Sequence, residues 1–350
     1  MDMWLSMLLT LVCAFAAGFV LYKLHVPGGL MLGGIIGAAA FNVLAGQAYM
    51  PFAARFFAQS VAGGFLGASI DRQKLRRLKD LIVPLLIIVG TMLLADLVIG
   101  WLIVRVSPLD AMTALASGIA GGINDVPLIA EELGADAGKV AVLQFVRLLT
   151  GIGLVPILIR LVDPSARNDG QHRAGRVKAA SEVPVNEHLV TLAAALAGGF
   201  VGKLIGIPAG TLLFSLLAAA ALHLITGKGR MRPQIKQAAQ LFAGAYIGCL
   251  LKKEDVLELR FLVLPALVIV VVFVGACFFG AFVMRRLHAL NLRESLLATT
   301  PAGASEIALL SEDLNISGQN SADIMILHIF RVICVVSVLP QIIPWLARLV

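Results

Sequence analysis

At 350 residues, 59% hydrophobic and only 14% charged, the chain has far less charge than the roughly 25% of a soluble domain, which excludes an ordinary globular fold. The net charge of +7 does not point to nucleic acid. Lys and Arg sit in short segments between apolar runs, as in cytoplasmic loops, with no interleaved aromatic patch for base stacking. Cys13, Cys249, Cys277 and Cys334 lie in apolar runs without CxxC spacing, and the six histidines form no HxH or HxxxH pair, so neither a metal centre nor a cofactor is expected.

Taken in order, Met3–Leu24 is apolar behind the acid Asp2, and another apolar run follows at once. It reads as a first span, because a cleaved leader needs a basic start and a mature domain after it. Further spans are predicted at about Gly28–Ala45, Phe56–Ile70, Leu81–Val104 and Val140–Leu161. Asp163–Glu187 is polar and aperiodic, a solvated linker too short to fold alone. The second set follows at about Leu189–Leu204, Gly210–Thr226, Ala238–Leu251, Phe261–Met284 and Ile324–Leu346. Phe56–Ile70 and Ala238–Leu251 are short and glycine-rich. Gly63 with Gly67, and Gly244 with Gly248, have the four-residue spacing that lets helix backbones approach closely.

The two sets are one unit written twice. An offset of 181 pairs Pro27 with Pro208, Gly29 with Gly210, Gln59, Gly63 and Gly67 with Gln240, Gly244 and Gly248, and Pro84 with Pro265. Past a three-residue insertion the offset is 184, pairing Arg147 with Arg331 and Pro156 with Pro340. The repeats are 1–163 and 188–350, joined by linker 164–187. Basic residues cluster in Asp71–Asp80 in the first repeat, but in Gly227–Lys236 and Arg285–Arg293 in the second. Opposite ends of matching helices are therefore basic. The expected fold is all-α and polytopic: two inverted-topology repeats, each of about five transmembrane helices plus one broken or re-entrant helix.

The broken segments carry the chemistry. Gly121-Gly122-Ile123-Asn124-Asp125-Val126-Pro127 interrupts the apolar run from Ala111 to Ala130, and Thr299-Thr300-Pro301-Ala302-Gly303-Ala304-Ser305-Glu306 repeats the interruption. Irregular backbone and buried ionisable groups are costly in a bilayer unless they serve a cavity or a function. The expected substrate- or ion-binding residues are Gly121, Gly122, Asn124, Asp125, Thr299, Thr300, Gly303, Ser305 and Glu306. In another reading Asp125 and Glu306 cap the helices that begin at Val126 and Ile307; the two are compatible. Arg147 and Arg331 recur at matching places, with Gln144 and His328 three residues earlier on the same helix face. They are expected to neutralise the two acids, to hold an anionic substrate, or to form structural ion pairs. Asp96 and Asp323 have no acidic counterpart and rank lower; Glu131, Glu132, Glu312 and Asp313 read as solvated.

In its twofold unit and in Gly121–Pro127 and Pro301–Glu306, the sequence resembles the AbrB family of duplicated bacterial inner-membrane proteins, labelled ammonia monooxygenase or membrane regulator. That family is similar in plan to inverted-repeat cation–proton antiporters and anion transporters. The resemblance implies a multi-pass protein of the bacterial inner membrane, with linker 164–187 in the cytoplasm. Isolated histidines speak against a copper oxygenase, and no Walker loop or other catalytic constellation is present, so no enzyme is expected. The expected function is ion-coupled secondary transport of a small charged solute. The alternative is a membrane sensor that affects gene expression indirectly. Expected partners are the lipid bilayer and a small molecule or ion, with homo-oligomers left open and no nucleic acid.

Overall fold

The computed structural model describes residues 3–26, 28–123, 125–162, 184–251, 253, 258–287, 290–302, 307, 310, 311, 316 and 319–349. Every regular element among them is helical. The first half contains α1 (Met3–Lys23), α2 (Gly29–Ala45), α3 (Phe52–Ala68), the short α4 (Arg72–Leu78) and α5 (Ile82–Val106). It continues with α6 (Ala111–Gly118), α7 (Val126–Glu132) and α8 (Ala137–Leu149), then a π turn at Thr150–Leu154 and α9 (Val155–Val162). The second half contains α10 (Val185–Ile205), α11 (Gly210–Thr226), α12 (Pro233–Leu250), α13 (Val263–Arg286), α14 (Leu292–Ala298) and α15 (Gln319–Leu346).

Each predicted span has its helix, with three informative differences. α3 starts at Phe52 behind Pro51, and α12 starts at Pro233. Proline at a helix start has its φ already set and loses no intrahelical bond, so both helices begin earlier than hydropathy alone implies. α10 begins at Val185 behind Pro184, inside the stretch expected to be linker; residues 163–183 of that stretch lie outside the described residues.

Six helices among the described residues are long and apolar enough to cross a membrane: Met3–Lys23, Ile82–Val106, Ala137–Ile159, Asn186–Ile205, Arg260–Arg286 and Asn320–Leu346. Burial in α1 is inverted relative to a soluble helix. Ser6, Thr10, Ala14 and Gly18 are buried at four-residue spacing, while Trp4 is 70% exposed and Leu8 57% exposed. Small residues pack inward and large apolar ones face out, the arrangement that suits a lipid surround.

The helices form two compact units, and neither unit is a sequence half. The first comprises residues 1–71, 123–142 and 182–263; the second comprises 72–122, 143–181 and 264–350. In the first unit, the glycines singled out by spacing are points of close backbone approach. A Cβ on Gly63 would strike Leu212 O, and one on Gly67 would strike Leu216 O. A Cβ on Gly244 would strike Met31 O, and one on Gly248 would strike Ile35 O. α3 therefore lies alongside α11 in the same sense, and α2 alongside α12. Met31, Ile35, Ala58, Val61, Ala239, Ala243 and Ile247 form the core between these helices. Gly63→Ala and Gly244→Ala should each destabilise the protein by about 1–3 kcal/mol, the range for overpacking. Gly90→Ala in α5 has open space around it and should be neutral or stabilising by up to about 1 kcal/mol. Melting temperatures in detergent distinguish the three.

Candidate functional site

The first interruption is a true break. α6 starts with the Asp110 carboxylate accepting the Thr113 amide at 2.9 Å, and it ends at Gly118 as Ile119 leaves helical geometry. Seven residues later α7 begins at Val126, with Pro127 in its first turn. A helix that stops inside an apolar layer leaves carbonyls without intrahelical donors. Two side chains of α8 supply those donors. Gln144 Nε2 donates to Ser117 O at 3.1 Å and Ile119 O at 3.0 Å. Arg147 donates from Nη1 to Ile119 O at 2.9 Å and from Nη2 to Gly121 O.

The second break in the same unit is closed the same way. α14 starts with a capping box of Asn291 and Glu294 and ends at Ala298. His328 Nε2 lies 3.1 Å from Leu297 O. Arg331 donates from Nη1 to Thr300 O at 2.9 Å and from Nη2 to Ala302 O at 2.8 Å. Thr300 and Ala302 follow Ile119 and Gly121 at the offset of 181, the register read from the sequence. Arg147 is 2% exposed and Arg331 1%. The guanidiniums thus grip main chain at the breaks, a role not among those expected from the sequence. The same-face pairing of Gln144 with Arg147, and of His328 with Arg331, is as expected: each pair serves one break.

Around the arginines lie Asp96 of α5 and its offset-181 counterpart, Cys277 of α13. Asp96 is 2% exposed, and its Oδ2 accepts the Ala120 amide at 3.0 Å. The charges of both Arg147 and Arg331 act on it. Asp96, which has no matching acid in the sequence, is thus placed with both arginines. Cys277 is also buried: its Sγ donates to Thr299 O at 3.0 Å, and Thr299 Oγ1 donates back to Cys277 O at 3.0 Å. Thr300 Oγ1 donates to Leu296 O at 2.9 Å. Gly151, in the π turn after α8, packs against Pro301 and Ala302; π turns inside helices are frequent at functional sites.

Asp125 belongs to the first unit, is 8% exposed and sits at the N-terminus of α7. Its side chain makes no capping hydrogen bond, so the capping reading does not describe it. The charge acting on it within that unit is Lys236 of α12. Gly121 and Gly122 are in the break itself, Gly121 buried. Asn124, Gly303, Ser305 and Glu306 lie outside the described residues, as do Glu312 and Asp313.

Glu131, expected to be solvated, is instead half-buried at the end of α7 and anchored; Glu132 is exposed, as expected, and is also hydrogen-bonded. Arg55 of α3, 6% exposed, pairs with Glu131 and lies 3.7 Å from Glu132. Tyr246 Oη donates to Glu131 at 3.3 Å; the Ala209 amide and Gln59 Nε2 donate to Glu132 at 3.1 and 3.4 Å. A lone arginine beside an apolar run was the only sequence signal for this cluster. In the second unit, Arg77 of α4 donates to both carboxylate oxygens of Asp323, at 2.9 and 2.8 Å. That hydrogen-bonded carboxylate holds the Arg77 guanidinium above its ordinary range. No group of three or more metal-ligating side chains occurs among the described residues.

Comparison with known proteins bears on this arrangement over nearly its whole length. A family model described as "Transition state regulatory protein AbrB" matches residues 30–347. The chain is 26% identical to "Uncharacterized protein YhjN" of Bacillus subtilis (strain 168), over 97% of this chain and 91% of that one. It is 27% identical to "Putative regulator AbrB" of Escherichia coli (strain K12), over 89% of this chain and 88% of that one.

Proposed function

The chain belongs to the AbrB family, and we propose that it is a secondary transporter, driven by an ion gradient, for a small charged solute. The observation that carries the proposal is the matched pair of broken segments, each held open by a buried arginine bonded to two main-chain carbonyls. Broken helices within an apolar layer are the usual means of presenting backbone groups to a solute at mid-membrane. Asp125 and Glu306, one acid at each interruption, are the groups assigned to ion or solute binding, with Asn124, Ser305 and the adjoining backbone. The protein is assigned no enzymatic role, and its place is the bacterial inner membrane.

An inverted repeat suits this function, and the helix directions support it. Ala38 clusters with Ala54, whereas Met31 and Ile35 cluster with Ala58 and Val61, so α2 and α3 run in opposite senses. α11 runs with α3 and therefore against α2, its own match. In the second unit, Arg77 before α5 and Arg285 at the end of α13 line one cavity of about 760 Å³. Matching helices thus turn opposite ends to the same side, the side the basic loops assign to the cytoplasm.

A second reading, a membrane sensor acting on gene expression through a partner, is favoured by the regulator names of the family and of the Escherichia coli relative. Purified protein in proteoliposomes separates the two. Solute-dependent flux down an imposed proton or sodium gradient is the expected result. Binding of a solute by the detergent-solubilised protein, with no flux under either gradient, would favour the sensor.

A further inference from the structure

The cluster at the two breaks of the second unit has a charge balance that names a solute class. Two buried guanidiniums face the C-terminal ends of α6 and α14, each worth about half a negative charge, and one carboxylate, Asp96. Among the described groups the cluster is neutral with Asp96 ionised, and carries about one positive charge with Asp96 protonated. Its hydrogen bonding is incomplete in a particular way. Gln144 Oε1 and His328 Nδ1 are buried with no hydrogen-bond partner among the described residues, and so are two atoms of charged groups, Asp96 Oδ1 and Arg331 Nε. One is a place for a proton and the other a donor for an anion; buried polar atoms are rarely left unserved without a reason.

We infer that this cluster is a coupled site for one proton and one small anion, the proton at Asp96 Oδ1 and the anion against Arg331. The inference rests on the transport reading and adds to Asp125 and Glu306 a further site, in the second unit, that makes the transport proton–anion symport. With Asp96 ionised, an anion entering the cluster meets a carboxylate and no net positive charge. Once a proton from the aqueous side neutralises Oδ1, the arginines are undercompensated and the anion supplies the missing charge. Anion release then favours loss of the proton, and the neutral cluster is restored. The charges that act on Asp96 are those of Arg147 on α8 and Arg331 on α15; of the other titratable groups on the packed helices, His328 and Cys277 lie beside Arg331, while Arg105, Lys139, Arg285, Arg286, Asp323 and Cys334 are not among the groups acting on it. His328 and Cys277 are each bonded to main chain of α14 or its end.

The test is binding of chloride, bromide and nitrate, anions that do not themselves titrate in the range used, to the detergent-solubilised full chain, read as thermal stabilisation from pH 5 to pH 8. At least one of the three should bind the wild type, with apparent affinity rising up to about tenfold for each pH unit lowered, as one linked proton requires. Asp96→Asn, which keeps an acceptor for the Ala120 amide, should bind that anion with affinity independent of pH. Asp96→Glu should restore the slope, which guards against a folding defect in the amide variant, and His328→Gln should leave the slope in place. No stabilisation by any of the three anions, or an unchanged slope in Asp96→Asn, overturns the inference. Anion binding with the expected pH slope but no flux in proteoliposomes would leave this site standing and defeat the transport reading alone. Flux of a cation, with no anion bound, would do the reverse.

Discussion

Arg331→Leu should be the most damaging single substitution in the second unit, costing about 3–5 kcal/mol, the range for breaking a buried charged contact by removing one partner. The change strips donors from Thr300 O and Ala302 O, and each buried unpaired acceptor costs about 1–3 kcal/mol. It also removes one of the two positive charges acting on Asp96. At roughly 2 °C per kcal/mol for a large domain, the melting temperature in detergent should fall by about 6–10 °C. Arg331→Lys should recover only part of this, because a single ammonium cannot reproduce a fork that reaches two carbonyls. Melting of Arg331→Leu within about 1 °C of the wild type would mean that the second break does not depend on its arginine.

The second large effect is on flux. Asp125→Asn should reduce solute-dependent transport at least about 100-fold, while the melting temperature changes little. Asp125 makes no capping hydrogen bond, so its removal takes away charge at the start of α7 without opening a structural contact. Helix initiation there also has Pro127 to support it. A capping role alone would leave transport intact in Asp125→Asn, because asparagine caps as well as aspartate, and would show as a stability loss of about 1 kcal/mol only in Asp125→Ala. Glu306→Gln should behave as Asp125→Asn does.

Helix positions were legible in the sequence because a bilayer demands long uncharged runs, and the breaks were legible because Gly121, Gly122, Pro127 and Pro301 interrupt such runs. The close approach at Gly63, Gly67, Gly244 and Gly248 could be read from spacing alone. The partners of the charged residues could not. Arg147 and Arg331 bond to main-chain carbonyls, and carbonyls leave no mark in a sequence. The placement of Asp96 could not be read from a matching acid, because the residue at the offset of 181 is Cys277. The place of Glu131 and Glu132 at a helix end implies solvent, while Arg55 reaches them from α3. The composition of the two compact units was hidden for a related reason: α3 packs on α11 and α2 on α12, so sequence halves and structural units do not coincide.

The most direct measurement is flux into pyranine-loaded proteoliposomes containing the full chain, with sodium, potassium, chloride, phosphate and succinate gradients applied in turn. The account predicts a change in internal pH with at least one of these in the wild type, and none in Asp125→Asn combined with Glu306→Gln. A wild-type protein silent to every gradient, or a double variant as active as the wild type, would contradict it.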